Sequence, residues 1–310
     1  MKIRVLGSAA GGGFPQWNCN CPNCKAYREG SSQAKRRTQS SIAASSDGQN
    51  WALFNASPDI LTQLHDFSKG IGTQQSLKLR ETPLRAIILI DSQIDHTTGL
   101  LMLRESTTPL RVYCTEAVHE DLTTGNPLFN VLSSYSKVDW QPIRFDDSGK
   151  FIFEVEGVSG LRFTAYPLKS KAPPYSPRRK NPSGGETIGV LIEDIRTGKK
   201  LFYSPGLGEI ESHVPALFSN SDCVLVDGTF WSENEMRDLG IADKPARALG
   251  HLPQSGPGGM IEVLSSMKKP RKILTHINNT NPIINEDSPE HQELLRAGIE
   301  VSFDGMEIEL

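Results

Sequence analysis

Ile87-Ile88-Leu89-Ile90-Asp91-Ser92-Gln93-Ile94-Asp95-His96-Thr97-Thr98-Gly99 sets an unbroken apolar run against a polar tip. Such a run predicts a strand buried on both faces, as in a parallel sheet covered by helices. In open α/β sheets, ligands bind outside the carboxyl ends of the strands. Asp91, Gln93, Asp95 and His96 can therefore converge on one site, and Gly99 permits close packing just after it. The same residues also fit an Asp- and Thr-capped helix start.

Two other apolar runs end alike. Ile273-Leu274-Thr275-His276 delivers an imidazole. Leu225-Val226-Asp227-Gly228-Thr229-Phe230-Trp231 delivers a carboxylate beside an aromatic pair, and fits equally a turn whose Asp bonds its own backbone. His251 follows Gly250 and precedes Pro253 at the start of a helix. His65, His119, His213 and His291 fall on helical surfaces and are read as structural. Cys19, Cys21 and Cys24 crowd one loop, and three thiolates so close can wrap one face of a tetrahedral zinc ion. Three free thiols there would be prone to oxidation. The fourth ligand must come from elsewhere. With five cysteines in all, the odd count and the clustering favour a metal over a disulfide framework.

Further strands are expected at Lys2–Leu6, Ser41–Ser46, Trp51–Asn55, Leu110–Cys114, Leu161–Tyr166, Gly189–Asp194 and Leu201–Ser204, with Leu84–Ile90, Cys223–Val226 and Lys272–Thr275 carrying the polar tips. Helices are expected at Pro58–Phe67, Glu209–Phe218, Gly258–Met267 and Pro289–Ala297, the last capped by Ser288. Arg196–Lys199 makes a hairpin turn. Ser68–Thr82 and the Pro-rich Lys169–Gly185, with its basic trio Arg178, Arg179 and Lys180, are long loops of the kind that serve as lids. The chain has 310 residues, 37% hydrophobic and 22% charged, with net charge −3. That supports a sizeable core and argues against nucleic acid or an anionic membrane as partner. No stretch has the length of a membrane span or signal-peptide core, so a cytoplasmic location is expected. No domain boundary is evident, and residues 1–310 are expected to form a single domain.

In this order the pieces resemble the metallo-β-lactamase superfamily. The opening Leu6-Gly7-Ser8-Ala9-Ala10-Gly11-Gly12-Gly13-Phe14-Pro15, followed by the cysteine cluster, is similar to its phosphodiesterase branch. Gly11–Cys24 together with Asp91–His96 resembles the pyrroloquinoline quinone (PQQ) biosynthesis protein B family along essentially the whole chain. The resemblance implies an α/β fold, a four-layer αββα sandwich, with a structural zinc at Cys19, Cys21 and Cys24. Where the phosphodiesterase branch completes that site with a histidine, this chain has Asn279. The superfamily's His-x-His-x-Asp-His keeps only Asp95 and His96, with Asp91 and Gln93 in place of the first two histidines. His276 matches the last active-site histidine and His251 the histidine near the substrate. Neither Tyr203–Gly206 nor Tyr166–Lys169 supplies its usual ligand.

What the resemblance implies is a step in making PQQ from a glutamate and a tyrosine of a precursor peptide, alongside other PQQ biosynthesis proteins. Two histidines and a carboxylate suit one non-haem iron. Asp95, His96 and His276 are its expected ligands, with Asp91 and His251 as further ligands or proton carriers. The leading expectation is an Fe(II)-dependent oxygenase hydroxylating the tyrosine-derived ring. The rivals are a non-catalytic carrier of PQQ or its precursor, and a hydrolase that trims the precursor. Because such ligands carry several carboxylates, Arg36 and Arg37 are expected to clamp them, or else the basic trio in the Pro-rich loop. Phe230 and Trp231, beside Asp227 and with Gln93, are expected to line the pocket for a flat ring.

Overall fold

The computed structural model describes residues 1–71 and 79–310. The middle of the expected 68–82 loop lies outside the described residues, and its first residues complete the helix Ile60–Ile71. The strands among the described residues are β1 Lys2–Gly7, β2 Ser41–Ser45, β3 Trp51–Phe54, β4 Leu84–Ile88, β5 Leu110–Thr115, β6 Val138–Ile143, β7 Phe151–Phe153, β8 Leu161–Pro167, β9 Ile188–Asp194, β10 Lys200–Ser204, β11 Cys223–Asp227, β12 Arg271–Thr275, β13 Ile299–Val301 and β14 Glu307–Glu309. They form two sheets, ordered β14-β1-β2-β3-β4-β5-β6 and β13-β12-β11-β10-β9-β8-β7. The sequence reading marks every interior strand but not β6, β7, β13 or β14. These four are the sheet edges, where short or half-exposed strands need no long apolar run.

Alternation along the strands builds three cores. Ile42, Ala44, Ala52, Phe54, Ala86 and Ile88 of the first sheet face Phe163, Val190, Tyr203 and Leu225 of the second. Phe54 sits at the centre, its ring 6.0 Å from Phe163 and 5.5 Å from Tyr203. Ala43, Leu53 and Ile87 turn outward, under Ile60, Val118, Leu122 and Phe129 from helices. Phe202, Val224 and Leu274 turn outward on the other side, under Val214, Phe218, Met260 and Leu294. Helix, sheet, sheet and helix thus stack as the expected four layers. The expected hairpin joins β9 to β10 in antiparallel register. Ser288 caps Pro289–Arg296 through its side chain.

This layering gathers the carboxyl ends of several strands. β4 runs parallel to β3 and β5, and β11 runs parallel to β10 and β12. Ile188 donates its N–H to Ile90 O at 2.9 Å and Asp91 bridges Thr187, so the end of β4 is stitched to the start of β9. Ile277 donates to Ser8 O and Ala10 to Ile277 O, each at 2.9 Å, which draws the loop after β1 against the end of β12. Gly99 is required beside this junction: a Cβ there would lie 2.1 Å from Ser57 O. Among the described residues no helix is long and apolar enough to cross a membrane.

Candidate metal centre

The polar tips of β4, β11 and β12 meet. Asp95 and His96 stand on the short helix Ile94–Thr97. Asp95 Oδ2 lies 3.2 Å from His276 Nε2 and 3.7 Å from His96 Nε2. One ligand atom from each of the three falls within 4.8 Å of the others. His276 reaches this point from a left-handed backbone, φ 60°. That conformation costs energy in a residue with a Cβ, and such strain clusters at functional sites.

Each imidazole is oriented through its other nitrogen. His96 Nδ1 lies 2.7 Å from Asp91 Oδ1. An ionised carboxylate only accepts, so Nδ1 carries the proton and donates it. His96 Nε2 is buried and makes no hydrogen bond. The Thr229 hydroxyl lies 2.6 Å from Asp227 Oδ1 and 2.8 Å from His276 Nδ1. Its single proton goes to the carboxylate, so it accepts from His276 Nδ1–H, and His276 Nε2 lies within hydrogen-bond distance of Asp95 Oδ2, on the edge of the ring that a metal ion would share with that carboxylate. His251 donates from Nδ1 to Asp227 Oδ2 at 2.7 Å. Its ring stacks 5.3 Å from that of His276.

Charge follows the same pairing. Burial opposes the imidazolium of His96, but the carboxylates of Asp91 and Asp95 hold its pKa up to about 9. Burial opposes ionisation of Asp95, yet the adjoining His96 and His276 hold it well below the usual carboxylate range. Asp227 is likewise buried and still lowered, chiefly by His251, and His251 is raised chiefly by Asp227 against its own burial. The carboxylates that favour a proton on these rings also favour a cation, and cation binding there releases protons. Two imidazoles and a carboxylate around an unbonded buried nitrogen fit a divalent transition-metal ion.

A second cluster lies close by. The sulfurs of Cys19, Cys21 and Cys24 group within 4.8 Å of one another. The Asn279 side-chain amide points at all three, with Nδ2 at 3.1, 3.5 and 3.4 Å respectively. Burial pushes the Cys21 thiol up to about 12. At Cys19 burial acts the same way but is outweighed by hydrogen bonds from Cys21, Asn279 and Cys24, and its pKa falls. Three sulfurs and one amide fit a tetrahedral zinc ion. Which amide atom faces the sulfurs is set by the hydrogen-bond network, and a cation favours the oxygen.

Other expected site residues lie elsewhere or act differently. Arg37 is buried and donates to Ser8 Oγ at 2.9 Å and to Ser302 O. Arg36 is exposed. One guanidinium is thus committed to bracing loops, and the pair makes no clamp. Asp91 is the partner of His96 and also accepts from Gln93 N at 2.9 Å; it is a brace rather than a ligand. Asp227 is saturated by Leu207 N, Thr229 N, Thr229 Oγ1 and His251 Nδ1. It has no capacity left for a substrate, and the turn reading of Asp227–Thr229 holds. The Gln93 amide donates to Lys171 O at 2.9 Å and so anchors the Pro-rich segment. Phe230 stands edge-on to His251 at 5.8 Å, whereas Trp231 packs with the helices outside the second sheet; they form no joint wall. The basic trio is partly engaged: Arg178 pairs with Glu120 and Arg179 donates to Ala172 O.

Two site residues escape the sequence reading. Thr229 carried a signal, since a hydroxyl two residues after a strand-end Asp can share its turn. Tyr203 carried none. It is fully buried in the apolar strand β10, 3.5 Å from Ser40 Oγ, and burial together with Asp91 and Asp95 raises its pKa.

The two sheets, their flanking helices and a metal-binding cluster at the strand ends define a metallo-β-lactamase-type protein. Residues 50–277 match the family model for the β-lactamase superfamily domain. The chain is 60% identical over 308 residues to the coenzyme PQQ synthesis protein B of Methylobacillus flagellatus, covering 99% of each. It is 59% identical over 310 residues to that of Methylococcus capsulatus, covering 100% of each. The crystal structure of Zn(2+)-bound PqqB from Methylobacterium extorquens superposes with a TM-score of 0.87 at 35% identity, covering 100% of both chains. The chain belongs to the coenzyme PQQ synthesis protein B family.

Proposed function

We propose that this protein acts in PQQ biosynthesis as a non-haem Fe(II)-dependent oxygenase that hydroxylates the tyrosine-derived ring of a Glu–Tyr precursor. The observation that carries the reading is the convergence of Asp95, His96 and His276, with both imidazoles held by Nδ1 partners so that Nε2 faces the carboxylate. The names of the relatives support the pathway. Asp95, His96 and His276 would hold a ferrous ion by three positions, and such an ion would supply the remaining ones for dioxygen and substrate. His251, half-buried beside His276 and paired with Asp227, is the residue suited to move a proton at the substrate. Cys19, Cys21, Cys24 and Asn279 are proposed to hold a structural zinc.

Recognition of the substrate carboxylates falls to the Pro-rich segment. Ser170 donates to Gly250 O at 3.0 Å, and Gln93 donates to Lys171 O. This segment is therefore pinned to the turns that precede His251 and follow Asp91. Lys171 is exposed at that junction, and a cation there offsets the repulsion between an anionic substrate and Asp91, Asp95 and Asp227.

The test is oxygen uptake by iron-loaded protein given a tyrosine-bearing Glu–Tyr peptide and ascorbate. One oxygen atom is expected in the ring, read by mass spectrometry, and the other in water, with ascorbate supplying two electrons. PQQ or precursor binding without oxygen uptake would leave the carrier reading in its place.

A further inference from the structure

We infer that Asn23 and Asn281 are positioning residues that couple occupancy of the cysteine cluster to the geometry of His276. The inference rests on the reading that Asp95, His96 and His276 hold a metal.

The two clusters share one turn. His276 follows directly on β12 and Asn279 points at the three sulfurs only three residues later. Everything between them is buried: Ile277 at 0%, Asn278 at 9% and Asn279 at 4% exposure, followed by Thr280 at 7% and Asn281 at 0%. A buried turn of this kind has few ways to relax, because each polar group needs a partner.

Its partners form a closed circuit. Asn23 lies between Cys21 and Cys24 on the helix Pro22–Arg28. Its amide donates to Asn279 O at 3.1 Å and to Asn281 O at 2.8 Å. The cysteine loop thus grips the backbone of the turn at two places. Asn281 in turn donates from Nδ2 to Gly228 O at 3.0 Å and Thr229 O at 3.2 Å. Asn278 N donates to the same Thr229 O at 3.1 Å. Thr229 is the residue whose hydroxyl accepts from His276 Nδ1 and donates to Asp227. The sulfur cluster, Asn23, the 279–281 turn, Thr229 and His276 are therefore linked in series.

The physical consequence concerns the orientation of the His276 ring. Thr229 fixes that ring only while its hydroxyl stays between Nδ1 and Asp227. A shift of the 228–229 backbone weakens both bonds and lets the ring turn Nε2 away from Asp95 and His96. Zinc held by the three thiolates would fix Asn23 and Asn279, and through them the Thr229 backbone. Outer partners of this kind typically change metal affinity by about 10–100-fold.

The experiment uses the full chain with zinc confined to the cysteine cluster and 15N-labelled histidine, comparing the parent with Asn23→Ala and Asn281→Ala. Cobalt(II) is titrated into the histidine centre and followed by its visible absorption. Both variants are expected to keep their cluster zinc, to bind cobalt about 10–100-fold more weakly, and to show His276 imidazole signals shifted from the parental ones. Stripping zinc from the parent should produce the same imidazole change. Asn281 is wholly buried and its variant risks unfolding; Asn23 is half-exposed, so Asn23→Ala decides. A folded Asn23→Ala protein with parental cobalt affinity and parental imidazole spectra overturns the coupling. A parent that takes up no cobalt instead sinks the oxygenase reading, and the imidazole spectra then decide the coupling alone.

Discussion

The cysteine cluster and the histidine–carboxylate centre stand on the same turn yet are built by opposite rules. The first draws three ligands from one short loop and closes over them, with Cys21 and Cys24 buried. The second draws its ligands from the ends of β4 and β12, in different sheets. Each of its imidazoles also needs a partner of its own, Asp91 for His96 and Thr229 for His276. A closed sulfur site stabilises a fold, whereas an open site with oriented imidazoles leaves room for chemistry. Local ligands can gather early in folding; distant ones meet only after both sheets have formed.

Loss of a sulfur ligand is expected to have the largest effect. Cys21→Ser should release the cluster zinc and lower the melting temperature by about 10 °C or more, at roughly 2–4 °C per kcal/mol for chains of a few hundred residues. Metal analysis with calorimetry checks this, and a variant that keeps its zinc and melts unchanged breaks the comparison. His276→Ala should show the reverse profile: cluster zinc and melting retained, but metal affinity at the centre reduced by more than about 100-fold, the upper end for outer partners. If it melts as early as Cys21→Ser, the division of labour is wrong.

Thr229→Val is nearly isosteric but lacks the hydroxyl. It should weaken metal binding at the centre by about 10–100-fold, with Thr229→Ser close to parental; equal loss in both would point to packing rather than to the hydroxyl's hold on the ring. Glu235 meets the shared turn at Thr280. It accepts from Trp231 N at 2.6 Å and from Thr280 Oγ1, and burial still raises its pKa from 4.5 to about 7. The folded state therefore binds this proton more tightly than the unfolded state does. Stability should fall as pH rises from about 4.5 through about 7, by on the order of 2–3 kcal/mol. Urea unfolding of Glu235→Gln at about pH 5 and about pH 8 should lack that slope; an unchanged slope places its origin elsewhere. The smallest effect belongs to Lys171, outside both clusters. Lys171→Ala should weaken binding of the Glu–Tyr precursor by about 0.5–1 kcal/mol at low salt and by less at high salt. Calorimetry showing identical affinity for parent and variant removes Lys171 from recognition.

The legibility of these regions follows from how far apart their determinants lie. The interior strands and the Ser288-capped helix are local patterns and could be read along the chain. The cysteine cluster is a spacing and is legible without the fold. Asp95, His96 and His276 could be singled out as polar tips on apolar runs. Arg37 was misjudged because a paired arginine at the surface and one buried against Ser8 and Ser302 look identical in one dimension. At Asp227 the sequence leaves a site wall and a turn equally open, and four hydrogen-bond donors from three separate segments decide for the turn.

The sequence by itself determined the interior strands and the residue types at the two clusters, because alternation and ligand spacing act over a few neighbours. Tertiary structure alone decided which carboxylates brace and which one faces the two imidazoles, that Thr229 holds the His276 ring, and that one buried turn joins the two clusters. The reason is physical: a hydrogen bond depends on positions to within a few tenths of an ångström, and only the packing of both sheets brings residues so far apart in the chain to that precision.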